Sequence, residues 1–124
     1  MHRTGSERRS RRSSEHGIAL RYQLENTLRQ GRLAAVALSD NAGLLLAWAG
    51  EDGLCAELAA VAPLVARGAP ANLPDSAVSG ADVSVRAIEC FGQALFLASL
   101  GGGVARDALL AHSARGVQRI LTAN

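Results

Sequence analysis

The chain has 124 residues, 48% of them hydrophobic, and a formal net charge of +2. That length fits one domain with a real core, and that apolar share excludes a disordered class. No apolar run reaches the roughly 18 to 20 residues of a membrane-spanning helix, and the arginine-rich start lacks the apolar segment of a secretory signal, so a cytoplasmic protein is expected.

The charge is unevenly placed. Residues 1 to 16 hold five Arg and two Glu, whereas residues 17 to 124 hold eight Arg and nine acids. Every basic residue is Arg, and Ala is abundant; such usage is typical of a GC-rich genome and makes a bacterial source the expectation.

The stretch 1–16 (MHRTGSERRSRRSSEH) shows no apolar periodicity and is read as a disordered Arg-rich tail ahead of a domain over 17–124. Clustered Arg8, Arg9, Arg11 and Arg12 offer an alternative reading as a contact for nucleic acid or an anionic membrane. No aromatic residue is interleaved there for base stacking, which weakens the nucleic-acid version.

From Gly17 to Gly31 the pattern is helical: Leu20, Leu24 and Leu28 recur at four-residue spacing beside Ile18 and Thr27, with Arg21, Gln23, Glu25 and Arg29 pointing away. Gly31 is the expected left-handed residue closing this helix. Leu33–Leu38 and Leu44–Ala49 then form two strands, apolar on both faces, around the turn Ser39-Asp40-Asn41-Ala42-Gly43. Strands of that kind sit centrally, with a layer above and below.

Glu51 to Arg67 is an almost wholly apolar helix. Leu54, Leu58, Val61 and Val65 make a bulky stripe assigned to the core; Cys55, Ala59, Ala62 and Ala66 make an adjoining small stripe assigned to a dimer interface with an identical chain. Exposed alanine, a strong helix former, is the plainer reading of the small stripe. Pro63 either kinks the helix, the favoured reading, or makes it stop at Ala62 and restart. Residues 68–82 are rich in Pro and Gly and hold either a short edge strand around Ala77-Val78-Ser79 or a mobile loop.

A second hairpin follows over Val83–Ser99, turning at Phe91-Gly92-Gln93. Gly101-Gly102-Gly103 forms a flexible joint to a last helix, which buries Leu109, Leu110, Val117, Ile120 and Leu121 and leaves Arg106, Arg115 and Arg119 wet.

No catalytic, cofactor or metal constellation emerges. The glycine run lacks the Lys-Ser/Thr ending of a phosphate loop. His112-Ser113 with Asp107 or Cys90 is too thin for a nucleophile set, and Glu51-Asp52 is the acidic first turn of a helix. Cys55 and Cys90 read as free buried thiols, although a small-molecule sensor pocket near them is a further alternative.

The order of elements carries a family likeness. Leu24-Glu25-Asn26-Thr27-Leu28 leads through Gly31 into Leu33–Leu38; the Ser39–Gly43 turn, Leu44–Ala49 and the Ala/Leu helix follow; and Gln93–Leu100 runs into the last helix. From Leu24 to Leu121 the chain resembles the Roadblock/dynein light-chain family, whose bacterial members include regulators of gliding motility. The resemblance implies an α/β sandwich in the order α-β-β-α-(β)-β-β-α. A central antiparallel sheet of four or five strands would carry the long helix on one face and the terminal helices on the other. It also implies a homodimer or heterodimer, with no catalytic residues, that regulates or scaffolds a small Ras-like GTPase. Pro63 and the weak stretch 68–82 depart from the family pattern.

Overall fold

The computed structural model describes residues 3–68, 82–103 and 105–123. Its elements are α1 (Arg3–Gly31), β1 (Ala35–Ser39), β2 (Leu45–Gly50), α2 (Asp52–Ala66), β3 (Val83–Cys90), β4 (Gln93–Leu100) and α3 (Arg106–Thr122). The four strands form one antiparallel sheet in the order β2-β1-β4-β3. The strand considered around Ala77-Val78-Ser79 lies outside the described residues.

Every residue of β1 is buried, as a central strand covered on both sides must be. Its alternation sorts the core into two layers. Val36 and Leu38 join Leu24, Leu97, Leu110 and Val117 beneath α1 and α3. Ala35 and Ala37 join Leu58, Val61, Phe96 and Ala98 beneath α2. Small alanines on the α2 side of β1 let that helix approach closely, while Leu and Val fill the other side. The fold is thus an α/β sandwich with one helix on one face and two on the other, as expected.

Several local readings need correction. The first helix starts at Arg3 rather than Gly17, so the backbone continues as helix through the stretch read as a disordered tail. Arg and Glu are good helix formers, and an extension adds hydrogen bonds without a new nucleus. Gly31 is not the left-handed residue; Arg32 is, at φ 50°. Leu33 N–H donates to the Leu28 carbonyl at 3.0 Å and Arg32 N–H to that of Arg29 at 3.3 Å, which is the paired closure of a Schellman end. Gly31 sits at a close approach instead: a Cβ there would lie 2.8 Å from Leu109 Cδ2, so the tip of that side chain would have to move. The helix α2 runs unbroken from Asp52 to Ala66 with Pro63 inside it and buried, so it does not stop and restart at that residue.

The α1–α3 seam is polar. Thr27 and Ser113, both buried, share a hydrogen bond of 2.7 Å, and Gln23 donates to Ser113 at 3.5 Å. Gln23 therefore turns inward rather than away, while Ile18 is 56% exposed rather than packed.

The first hairpin is held by Asp40, whose carboxylate accepts from Ala42 N–H and Leu44 N–H, each at 2.9 Å. Gly50, at φ 115°, makes the tight passage from β2 into α2; a Cβ there would sit 2.9 Å from the Ala34 carbonyl oxygen. Gly50→Ala is expected to lower stability by about 2 kcal/mol or more, since both the backbone conformation and the contact oppose it. Arg32→Gly is expected to raise it by about 0.5 to 1 kcal/mol, by relieving the left-handed arginine. Urea unfolding followed by circular dichroism checks both.

Candidate interaction surface

The long helix α2 was the element expected to meet a partner, so its faces decide the candidate surface. Glu51 caps it: the carboxylate oxygens accept from Gly53 N–H at 2.9 Å and Leu54 N–H at 2.8 Å. Cys55, Ala59 and Ala62 are fully buried against the chain's own sheet, beside Leu58 and Val61. They cannot face a second chain, and the interface expected on them is corrected accordingly. Ala66 alone of that stripe is exposed, at the helix end, while Leu54 and Val65, expected in the core, are only half-buried. The physical reason is a rotation: β1 offers alanines on this side, so the helix sinks its small residues between the sheet's Ala35 and Ala37 and shares its bulky ones with the flanks.

The outward face is instead Ala56, Ala60 and Leu64, at four-residue spacing and all exposed, with Leu64 at 42%. The first hairpin lies against this helix. A Cβ on Gly43 would approach the Ala60 Cα to 3.3 Å, and Arg67 donates to the Asn41 side chain at 3.0 Å. The surface is therefore a low, apolar ridge braced by the hairpin turn. Nothing in the spacing of the wheel alone distinguished it from the buried small stripe, because the two lie side by side.

The other sequence candidates are dispersed. Cys55 lies beneath α2, whereas Cys90 packs at the edge of the core beneath α1 and α3, so the sheet separates the two thiols and they share no pocket. Burial pushes the Cys55 thiol up from its ordinary range, and its S–H donates to the Ala49 carbonyl at 3.3 Å; it is a core group. His112 is exposed, and the neighbouring Ser113 hydroxyl is committed to Thr27. Among the described residues no cluster of three His, Cys, Asp or Glu side chains is placed to hold a metal ion. No helix among them is long and apolar enough to cross a membrane.

Arg106, read as a wet-face residue, is buried and organises the entry to α3. Its guanidinium pairs with Asp82 and donates to the Gly101 carbonyl at 3.1 Å and to Asp107 at 3.3 Å. Asp82 in turn accepts from Gly103 N–H at 3.1 Å. The glycines 101, 102 and 103 all have positive φ, so this run is a shaped turn tied down at both ends rather than a loose joint. The signal in the sequence was the Asp82…Arg106 pair flanking the glycines, which helical periodicity alone does not reveal.

No family model and no curated protein matches the sequence. Among solved structures, that of MglB from Myxococcus xanthus is similar, with a TM-score of 0.53 and 14% identity, over 82% of this chain and 93% of that one. At that identity the likeness is one of fold, and it agrees with the order of elements: the chain has a Roadblock-like fold.

The hydrogen bond from Arg106 holds the Asp82 carboxyl below its ordinary pKa. A carboxyl depressed in the folded state stabilises it above the unfolded pKa, and the effect is lost as pH falls through the folded value. Asp82→Asn is therefore expected to be less stable than the parent near pH 7, with the gap closing as the solution is acidified below the ordinary carboxylate range. Urea midpoints measured at stepped pH give this comparison.

Proposed function

We propose that this chain is a cytoplasmic, non-catalytic, dimeric module that regulates or scaffolds a small Ras-like GTPase. The module proper comprises residues 17–124, with the Arg-rich stretch 1–16 outside it; Leu20 is the first core side chain among the described residues. The observation that supports the reading is the Roadblock-like architecture, with a sheet carrying one helix alone on one face. The family that the chain resembles works through surfaces of this architecture and not through an active site.

The dimer part of the reading rests on α2. Among the described residues, α2 is the one helix on its face of the sheet, and it exposes Ala56, Ala60 and Leu64; small residues at helical spacing let a second helix come close. In an isologous pair the same ridge meets its own copy, so one bulky charge is introduced twice. Ala60→Arg is therefore expected to convert a dimer to a monomer in light-scattering chromatography at micromolar concentration, with circular dichroism unchanged. A parent chain that is already monomeric there rejects the dimer.

The GTPase part is tested separately. The full chain, immobilised and exposed to native lysate with GTP or GDP analogues, is expected to retain a small GTPase from one nucleotide condition in preference to the other. Recovery that is indifferent to nucleotide, or free of any GTPase, removes this reading. Binding through the Arg-rich stretch is told apart by deleting residues 1–16, since phosphate-type contacts weaken steeply with salt.

A further inference from the structure

Among the described residues, the two edges of the sheet are finished differently. On β3 the side chains of Arg86 and Glu89 are exposed, and the Gln118 amide of α3 donates to the Glu89 carbonyl at 2.8 Å. Charge and a covering side chain are the means by which native sheets keep an edge from pairing. The β2 edge has neither. Among the described residues it pairs with β1 alone, and its six residues, LLAWAG, include no charge and no proline. It exposes Leu46 at 43% and Trp48 at 40%, with Leu44 just before it at 62%.

Beside this edge runs a groove of about 850 Å³ between α1 and β2. Ile18 and Arg21 line it on the helix side and β2 from Leu46 to Gly50 on the strand side; Ala47 and Ala49 face α1, whereas Leu46 and Trp48 project to the α2 side of the same edge. The Trp48 indole N–H donates to Asp52 at 2.8 Å, so the ring is oriented before anything docks, which lowers the ordering cost of binding. Two carboxylates, Glu25 and Asp52, line the groove against one cation, Arg21, and its charge is net negative.

From this we infer that the β2 edge accepts an extended segment of a partner protein as an added strand, with apolar side chains at alternate positions and a Lys or Arg facing Glu25 and Asp52. An added strand satisfies the outward backbone groups of β2, which have no second strand neighbour among the described residues, and its alternate side chains enter the groove. A second copy of the same edge fits less well, because LLAWAG brings no cation to those carboxylates. The inference rests on the edge and the groove, not on the dimer reading, which concerns the outer face of α2, nor on the GTPase reading.

The test is selection of random displayed dodecapeptides on the immobilised full chain, followed by fluorescence polarisation with a labelled selected peptide. The expected winners carry apolar residues at every second position and a basic residue. Leu46→Lys and Ile18→Glu, both changes of exposed side chains, are expected to weaken binding by about tenfold or more, while Phe91→Ser in the turn between β3 and β4 leaves it unchanged. Amide exchange over residues 45–50 is expected to slow on binding. The inference is overturned if no peptide is enriched, if Leu46→Lys leaves affinity intact, or if exchange in β2 does not change. It is also overturned if Leu46→Lys abolishes self-association of the free chain, which assigns the edge to a second copy.

Discussion

Strand β1 is buried along its whole length, and the rest of the structure answers to that constraint. A strand with no wet face requires a sheet neighbour on each side and a helical layer above and below. The neighbours are β2 and β4, and the layers are α2 on one side and α1 with α3 on the other. The asymmetry of its two faces then decides how each layer packs. Ala35 and Ala37 lie with Cys55, Ala59 and Ala62 in the layer under α2, whereas Val36 and Leu38 fill the layer under α1 and α3 with larger side chains. Full burial of one such leucine is worth about 1.5 to 3 kcal/mol, so residues of this kind, rather than the surface ion pairs, carry the stability.

The two-helix layer solves a problem that the one-helix layer does not have. Two helices on one face must meet each other as well as the sheet, and here the meeting is partly polar, through Thr27, Ser113 and Gln23. A buried hydrogen bond adds only about 0.5 to 1.5 kcal/mol net. Its larger effect is on register: the Thr27 hydroxyl also donates to the Gln23 carbonyl of its own helix at 2.8 Å, but sliding α1 along α3 would take both Thr27 and Gln23 from the buried Ser113 hydroxyl. Gly116 contributes on the same seam: a Cβ there would lie 2.7 Å from the Gln23 amide oxygen. The seam thereby fixes the position of α1, and with α1 the wall of the groove along β2.

The element order was legible because the helices carry a period close to 3.6, while the strands are either short apolar runs, as in the first hairpin, or alternate with period two, as in the second. Both hairpins could be read from turn chemistry, and Asp40 and Gly92 do what such residues do. What could not be read was rotation and partnership. The wheel of α2 separates small from bulky residues correctly, yet both stripes are apolar, and only the alanines of β1 decide which one sinks. Arg106 has the spacing of a wet residue and is buried because Asp82, far away in sequence, meets it across the end of the sheet. Gly31 looks like a helix-ending glycine, but the left-handed residue is Arg32, and the neighbour that crowds Gly31 is Leu109 on another helix. In each case the deciding contact is long-range, whereas the periods are local.

The exposed apolar groups that remain after folding are not spread evenly, and their placement bears on how the molecule works. The outer face of α2 is low and made of small residues, a shape suited to another helix laid across it. The β2 edge is irregular, with a tryptophan held in place by Asp52 and open backbone groups beside it, a shape suited to an extended chain. These two surfaces meet at the start of α2, where Asp52 belongs both to the first helical turn and to the groove. Glu51 and Gly50 fix that junction, the one by capping the helix and the other by adopting a conformation no side chain tolerates well.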